Sequence, residues 1–222
     1  MIPFKVCCMK SVEEADMAIE AGAQAVGLVG HMPNGPGILP DEKIKEIADQ
    51  VHARHQNRIW TTLLTSEIQT SSIIDHVRVT AVNTLQIVDW PEEGSWSALR
   101  SAYPTLRLIQ VIHVEDRTAI DLARIAAPHV DYLLLDSGKP SAATRTLGGT
   151  GGTHDWSVSA DLVREIETPV FLAGGLDPEN VRIAIEEVRP YGVDICSGLR
   201  NRENDYDLID SKLLSFANAL NH

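Results

Sequence analysis

Short apolar runs alternate with amphipathic stretches along the whole chain. Most of these runs carry Val, Ile or Leu at consecutive positions, which is typical of parallel strands buried on both faces. Eight runs are predicted as strands on this basis: residues 4–7, 25–29, 59–64, 84–88, 106–112, 130–135, 169–173 and 192–196.

The stretches between these runs have the spacing of helices. Ser11-Val12-Glu13-Glu14 has the pattern of a capping box, and apolar residues follow it at helical spacing. Further helices are predicted over 41–51, 117–127, 178–188 and 207–220.

An eightfold strand–helix alternation without a change in composition predicts one domain over residues 1–222, folded as a (β/α)₈ TIM barrel. The alternative is a doubly wound open sheet. Such a sheet usually has five or six strands, and no Gly-x-Gly-x-x-Gly turn follows the first strand here.

Charge and cysteine content narrow the class of partner. The 222 residues carry a net charge of −12, which disfavours binding to a nucleic-acid backbone. No apolar run is long enough to cross a bilayer, and the N-terminus lacks the layout of a signal peptide, so no membrane partner is expected. Cys7, Cys8 and Cys196 form neither a disulfide framework nor a zinc motif, so we expect a reduced, cytoplasmic protein.

Glycine clusters follow three predicted strands in succession. Gly174-Gly175 follows the seventh strand, Ser197-Gly198 the eighth, and residues 148–152 the sixth. Glycine lets backbone N–H groups approach an oxyanion closely, and the loops after strands seven and eight commonly hold phosphate in this fold. The sequence therefore predicts a phosphate site formed by Gly149, Thr150, Gly174, Gly175, Ser197 and Gly198. The alternative is that these glycines only permit tight turns.

Two side chains at predicted strand ends are candidates for proton transfer. Cys7 ends the first strand and Asp136 follows Leu133-Leu134-Leu135 in the sixth. In a barrel both strand ends border one mouth, so a thiol and a carboxyl can act there as base and acid. A buried cysteine is often only a packing residue, and an aspartate after a strand is often a turn residue. Both interpretations stay open for each.

From residue 5 to about residue 198 the chain resembles the phosphoribosylanthranilate isomerase family of tryptophan biosynthesis. Lys5-Val6-Cys7-Cys8 is similar to the family's Lys-Ile-Cys-Gly start. The most specific block is Leu134-Leu135-Asp136 followed by Gly148-Gly149-Thr150-Gly151 and Asp155-Trp156. The segments Ala21 to Gly27, Ala173 to Val181 and Arg189 to Gly198 complete the resemblance.

The resemblance implies a TIM-barrel isomerase of aromatic amino-acid biosynthesis that carries out an Amadori rearrangement without a metal or organic cofactor. It also implies that Asp136 is the general acid for the furanose ring oxygen, Cys7 the base that takes the C2 proton, and Asp194 a neighbour of the aglycone amine. The expected ligand is a small sugar phosphate.

Three positions depart from the family pattern. A Ser-Pro-Arg-like stretch, whose arginine binds the anthranilate carboxylate, is replaced by residues 31–38, and no Arg precedes Arg54. Gln86-Ile87-Val88-Asp89 stands in place of Gln-Leu-His-Gly, and Cys8 in place of a glycine. We expect His31 and Gln86 to bind substrate, with Lys10 and His113 as other candidates for the missing cation. The Cys8 side chain is expected on the face of the strand opposite Cys7.

These departures leave three functions open. The first is a phosphoribosylanthranilate isomerase with a rebuilt carboxylate site. The second is a paralogous isomerase of another amino-sugar phosphate. The third is a barrel that binds a sugar phosphate without catalysis, although such a protein has no need of both Cys7 and Asp136.

Overall fold

The structure is a computed structural model that describes residues 2–33, 35–56, 58–138, 155–201 and 206–221. Eight parallel strands close into a barrel in which each strand pairs with its neighbours in chain order and β1 pairs with β8. The strands are β1 Phe4–Val6, β2 Ala25–Val29, β3 Trp60–Thr65, β4 Thr84–Ile87, β5 Arg107–His113, β6 Tyr132–Asp136, β7 Val170–Leu172 and β8 Gly192–Ile195. The predicted (β/α)₈ barrel is confirmed.

A helix follows each strand. The helices are α1 Val12–Glu20, α2 Asp41–His55, α3 Thr70–Thr80, α4 Ser95–Ala102, α5 Thr118–Ala126, α6 Trp156–Glu165, α7 Val181–Val188 and α8 Asp210–Ala219. Single 3₁₀ turns extend α5 and follow β8. None of the described helices is both long and apolar enough to cross a lipid bilayer.

Alternation along the strands divides the core into two layers. In β5, for example, Leu108 and Ile112 belong to the layer between strands and helices, whereas Ile109 and Val111 belong to the layer inside the barrel. This is the period of two that places neighbouring side chains on opposite faces of a strand. Side chains of the inner layer that lie near the C-terminal strand ends are therefore placed to line a mouth.

Predicted and observed bounds differ more for the helices than for the strands, and most for α2, which ends at His55 instead of residue 51. The seventh helix begins at Val181 instead of residue 178. In the turn before it, the carboxylate of Asp177 accepts hydrogen bonds from the backbone N–H groups of Glu179 and Asn180. This local turn satisfies the donors that a helix would otherwise leave free. Most strand ends shift by one residue.

Candidate active site

A cavity opens at the C-terminal ends of the strands. Its polar lining includes Cys7, Cys8, Gln86, Asp136, Ser137, Asp194, Cys196 and Ser197, and Val29, Leu64, Val111 and Leu134 supply apolar walls. The two candidates for proton transfer therefore face one cavity, at the end of the barrel where this fold places its active sites.

Cys7 follows β1 on the inner side of the barrel and is buried. The backbone of β2 passes close to it: a Cβ atom added to Gly27 would lie only 2.7 Å from the Cys7 Sγ atom. Hydrogen bonds from the thiols of Cys196 and Cys8, with a smaller contribution from the positive charge of Lys5, hold the pKa of Cys7 well below its ordinary value. Cys7 is thus the thiol of the cavity that is best suited to act as a base.

Cys8 lies beside Cys7 in the cavity instead of on the opposite face of the strand. The expectation of alternating faces was wrong because β1 ends at Val6 and Cys8 adopts a left-handed backbone with φ of 65°. This turn directs the thiol back toward the barrel axis, where the Sγ atom lies 2.6 Å from the Sγ atom of Cys196.

Asp136 ends β6 and lines the same cavity. One carboxylate oxygen accepts a hydrogen bond from the backbone N–H of Ser137 over 2.8 Å. Burial raises the pKa of Asp136 above its ordinary value, and the nearby His113 only partly offsets this effect. The carboxyl and the Cys7 thiol thus have pKa values moved toward each other, as a general acid and a general base that work near neutrality require.

Lys5 and Asp194 form a buried ion pair on the inner face of the barrel. They are register partners on β1 and β8, and the Lys5 Nζ atom lies 2.8 Å from an Asp194 carboxylate oxygen. Burial raises the pKa of Asp194 to about 7, and the charge of Lys5 limits the rise. Burial by itself lowers the pKa of Lys5, but the charges of Asp194 and Cys7 outweigh it, so the lysine stays protonated.

Arg200 was not singled out from the sequence, yet it positions the end of β1. Its buried guanidinium donates hydrogen bonds to the carbonyl oxygens of Cys7 and Cys8, at 3.0 and 2.8 Å. The other terminal nitrogen, Nη1, donates to both carboxylate oxygens of Glu14, at 2.8 and 2.9 Å. An arginine just beyond β8 and an acidic residue in the first turn of α1 were the available signals, but their sequence separation of 186 residues hid the pairing.

Two of the residues predicted to bind substrate lie in different settings. Gln86, on β4, is buried at the cavity wall, and its side-chain oxygen has no hydrogen-bond partner among the described residues. His31 is exposed and is not part of the lining, although Met32, Gly35 and Pro36 of the same loop are.

The predicted phosphate residues divide in a similar way. Gly174, Gly175 and Ser197 line the cavity, and both glycines have positive φ, at 87° and 67°. A Cβ atom on Gly174 would lie 2.8 Å from the backbone nitrogen of Ser137, so a side chain at this position would collide with the backbone after β6. Gly198 instead borders a separate groove with Asp177 and Pro178. Gly149 and Thr150 lie outside the described residues.

Three sulfur atoms form the one group of three potential metal ligands found within the described part of the chain. The Sγ atoms of Cys7, Cys8 and Cys196 lie within 4.8 Å of one another at the cavity wall. Thiolates of this kind suit zinc or copper(I). Two thiolates that share a zinc ion at about 2.3 Å stand about 3.8 Å apart, which is much farther than the 2.6 Å between Cys8 and Cys196.

Comparisons with known proteins indicate the family of the chain. The sequence profile of N-(5'-phosphoribosyl)anthranilate isomerase matches residues 4–210. The chain is 35% identical to N-(5'-phosphoribosyl)anthranilate isomerase 2 of Methanosarcina mazei, over 96% of this chain and 91% of the relative. It is 37% identical to the Haloferax volcanii isomerase, over 90% of this chain and 85% of that protein.

The chain belongs to the phosphoribosylanthranilate isomerase family.

Solved structures of the family share the fold. The isomerase of Thermotoga maritima superposes with a TM-score of 0.80 at 25% identity, covering 100% of both chains. A family structure in complex with reduced 1-(o-carboxyphenylamino)-1-deoxyribulose 5-phosphate superposes with a TM-score of 0.78 at 23% identity, again over 100% of both chains. The predicted family is confirmed.

All three departures from the family pattern reach the cavity wall, at Cys8, at Pro36 and at Gln86 with Val88. Pro36 lines the cavity in the loop after β2, which lacks the family's arginine. Among the described lining residues none is Arg, Lys or His. The described part of the cavity wall is therefore less cationic than the resemblance implies.

Proposed function

We propose that this chain catalyses the isomerisation of N-(5'-phosphoribosyl)anthranilate, an Amadori rearrangement of an aminoaldose phosphate to an aminoketose phosphate. The observation that carries the proposal is that the Cys7 thiol and the Asp136 carboxyl line one cavity and have oppositely shifted pKa values. A protein that only bound a sugar phosphate would gain nothing from this pair.

The reaction needs an acid and then a base. Asp136, kept protonated by burial, gives its proton to the furanose ring oxygen, and the C1–O bond breaks to leave an open-chain Schiff base. The Cys7 thiolate then removes the proton from C2, and the electron pair of that C–H bond forms the C1–C2 double bond of an enaminol. When the enaminol becomes the ketone, C1 regains a proton and the hydroxyl at C2 loses one.

The surrounding residues supply binding and orientation. We propose that Gly174, Gly175 and Ser197, together with Gly198, Gly149 and Thr150, bind the phosphate through backbone N–H groups and hydroxyls. This mode of binding suits a chain whose net charge is −12, because it needs no excess of lysine and arginine. Binding of the phosphate holds the sugar between the acid and the base, which lowers the entropic part of the activation barrier.

The aglycone end is assigned to three side chains. Asp194, fixed by Lys5, accepts a hydrogen bond from the anthranilate amine, and the unpartnered side-chain oxygen of Gln86 is available to the same end of the substrate. His31 is kept as a further candidate for this end. The proposal includes a cytoplasmic location, which the unpaired thiols suit.

Turnover of phosphoribosylanthranilate by purified variants tests the proposal. Cys7→Ser and Asp136→Asn each lower kcat by about 10²–10⁴-fold, the usual effect of losing a general base or acid. Asp75→Asn, on an exposed carboxylate paired with Arg78, is the matched control and stays at wild-type turnover. Wild-type protein that neither turns over this substrate nor restores growth to a tryptophan auxotroph lacking the isomerase contradicts the proposal.

A second candidate, an isomerase for a different aglycone, is favoured by the absence of a cation from the described cavity wall. Each charge-assisted bond to a carboxylate contributes about 1.5–3 kcal/mol, so its loss weakens binding by about one to two orders of magnitude. Pro36→Arg tests this candidate. Weak wild-type turnover that rises in Pro36→Arg supports another natural aglycone. Ordinary wild-type turnover that is lost in His31→Ala shows a rebuilt anthranilate site.

A further inference from the structure

Cys8 and Cys196 are held closer than unbonded atoms ordinarily stand. Their Sγ atoms lie 2.6 Å apart, whereas even carbon atoms at optimal contact are about 3.5–4.0 Å apart. A disulfide bond requires about 2.05 Å. The observed distance is thus much nearer to a covalent bond than to the spacing of two ligands on one metal ion.

The backbone at Cys8 adds a second, independent observation. A φ of 65° places Cys8 in the left-handed region, which costs conformational free energy for any residue with a Cβ atom. Glycine avoids that cost, yet the chain carries cysteine here and turns its thiol onto Cys196. Strain of this kind is kept where surrounding contacts enforce it, and it often marks a functional position.

Arg200 and Gly37 enforce the strained turn at Cys8. The Arg200 guanidinium donates a hydrogen bond to the Cys8 carbonyl oxygen over 2.8 Å. The loop after β2 packs so closely that a Cβ atom on Gly37 would lie 2.9 Å from the Cys8 Cβ atom. The Cys8 thiol therefore has little freedom to turn away from Cys196.

We propose that Cys8 and Cys196 are a modification site, at which a low-molecular-weight disulfide oxidises the pair to an intramolecular disulfide in the wall of the cavity. Cys196 is partly exposed and lines the cavity, so the oxidant enters there.

The exchange balances without a further reactant. The Cys196 sulfur attacks one sulfur of the oxidant as its own proton leaves, forming a mixed disulfide and releasing one thiolate of the oxidant. The Cys8 sulfur then attacks the Cys196 sulfur as its proton leaves, forming the Cys8–Cys196 bond and releasing the second thiolate. The two protons lost by the cysteines end on the two released thiolates, and the two electrons that reduce the oxidant come from the two protein thiols.

Oxidation of Cys8 and Cys196 also changes the pKa of the neighbouring Cys7 thiol. The effect of this change on turnover rests on the proposed function. The thiols of Cys196 and Cys8 are the main hydrogen-bond donors that lower the pKa of Cys7. A disulfide has no S–H group, so oxidation removes both donors and raises the pKa of Cys7. At a given pH less of Cys7 is then thiolate, by up to about tenfold for a pKa raised by one unit, and turnover falls by the same factor.

Mass spectrometry of protein treated with oxidised glutathione at about pH 8.5 tests the proposal. The expected product is lighter by two hydrogen atoms, links the peptides of Cys8 and Cys196, and leaves only Cys7 open to alkylation. Dithiothreitol reverses the change. Three alkylated thiols, a stable glutathione adduct or a link through Cys7 would each overturn the proposal.

Variants make the assignment specific. Cys7→Ser still forms the disulfide, because its partners do not include Cys7, whereas Cys8→Gly and Cys196→Ser do not lose the two hydrogen atoms. Circular dichroism establishes that each variant is folded. The mass readout does not depend on activity, so failure of the proposed isomerase function leaves this test intact. In active enzyme, oxidation moves the acidic limb of the kcat/KM profile to higher pH.

Discussion

The Arg200 guanidinium donates a hydrogen bond to the backbone carbonyl of Cys7 over 3.0 Å. The same guanidinium binds the carboxylate of Glu14, so it ties the end of β1 both to the segment after β8 and to the first turn of α1. Arg200 touches none of the reacting groups through its side chain. It positions the backbone that carries the Cys7 thiol.

Replacing Arg200 therefore disturbs both stability and geometry. Arg200→Met leaves a largely buried carboxylate unpaired, which lowers the free energy of unfolding by about 3–5 kcal/mol. Arg200→Lys keeps the charge but loses part of the hydrogen bonding, and costs about 1–3 kcal/mol. We expect kcat to fall in Arg200→Lys while KM changes little. Arg182→Lys, at an exposed arginine 3.9 Å from Glu186, stays within about 0.5 kcal/mol of wild type. Equal changes in stability and in kcat for Arg200→Lys and Arg182→Lys would contradict the positioning role of Arg200.

The pH dependence of stability should report on Asp194. Its carboxyl has a pKa of about 7 in the folded chain and its ordinary value of 3.8 in the unfolded chain. Between these pH values the folded chain binds the additional proton, so this residue makes the free energy of unfolding fall as pH rises from about 4 to about 7. Asp194→Asn removes this contribution. Denaturant titrations of the wild type and of Asp194→Asn across that pH range measure this contribution. If the free energies of unfolding of the two proteins differ by the same amount at every pH, the pKa of Asp194 is not raised.

Two substitutions at Cys8 separate backbone strain from loss of the thiol. Cys8→Ala removes the thiol and keeps the strain at φ of 65°, whereas Cys8→Gly removes both. We expect the glycine variant to be more stable than the alanine variant by about 1 kcal/mol. Ala18→Gly, inside α1, gives the opposite order because glycine is unfavourable in a helix, by about 1 kcal/mol. Thermal or urea unfolding compares the two pairs.

The close approach of β2 to the thiol makes Gly27 intolerant of a side chain. Gly27→Ala places a Cβ atom 2.7 Å from the Cys7 Sγ atom, so strand or thiol must move. Overpacking of this kind typically costs 1–3 kcal/mol, and kcat falls with it. In a Cys7→Ala background the stability cost should shrink, because the nearest atom is gone. A cost that is unchanged in that background would show that the backbone of Cys7, 3.1 Å away, sets the limit instead.

A charge introduced at Gly175 tests the proposed phosphate site. Gly175→Asp places a carboxylate at the cavity wall, so inorganic phosphate and phosphorylated ligands should bind at least about tenfold more weakly. Gly94→Asp is the matched control, because Gly94 also has positive φ but nothing lies within 4 Å of an added Cβ atom. Calorimetry or ligand competition gives the two affinities. Unchanged affinity in Gly175→Asp would remove this residue from the phosphate site.

The barrel could be predicted because its evidence is local. Each apolar run and each amphipathic stretch is visible within about ten residues, and observed strands such as Tyr132–Asp136 and Val170–Leu172 fall within one or two residues of the predicted ends. Cys7 and Asp136 could be placed at one mouth because strand ends converge in this fold. The single-domain organisation stays a prediction.

Errors arose where a long-range contact overrides a local rule. Glu14 was predicted to complete a capping box, and Ser11 does accept a hydrogen bond from the Glu14 backbone N–H. The Glu14 carboxylate, however, binds Arg200 instead of returning to Ser11. Strand alternation put Cys8 on the wrong side because a left-handed turn ends β1 at that point. The residues next to Glu14 do not indicate its pairing with Arg200, and those next to Cys8 do not indicate the left-handed turn.

Part of the site lies where the first and last strands meet. Lys5, Cys7 and Cys8 come from the beginning of the chain, and their partners Asp194, Cys196 and Arg200 come from nearly 200 residues later. A chain with only the first seven strands therefore holds the Cys7 thiol without the Lys5–Asp194 ion pair, the Cys196 thiol and the Arg200 hydrogen bonds that surround it in the closed barrel. The setting of the proposed base is therefore complete only once β8 has paired with β1.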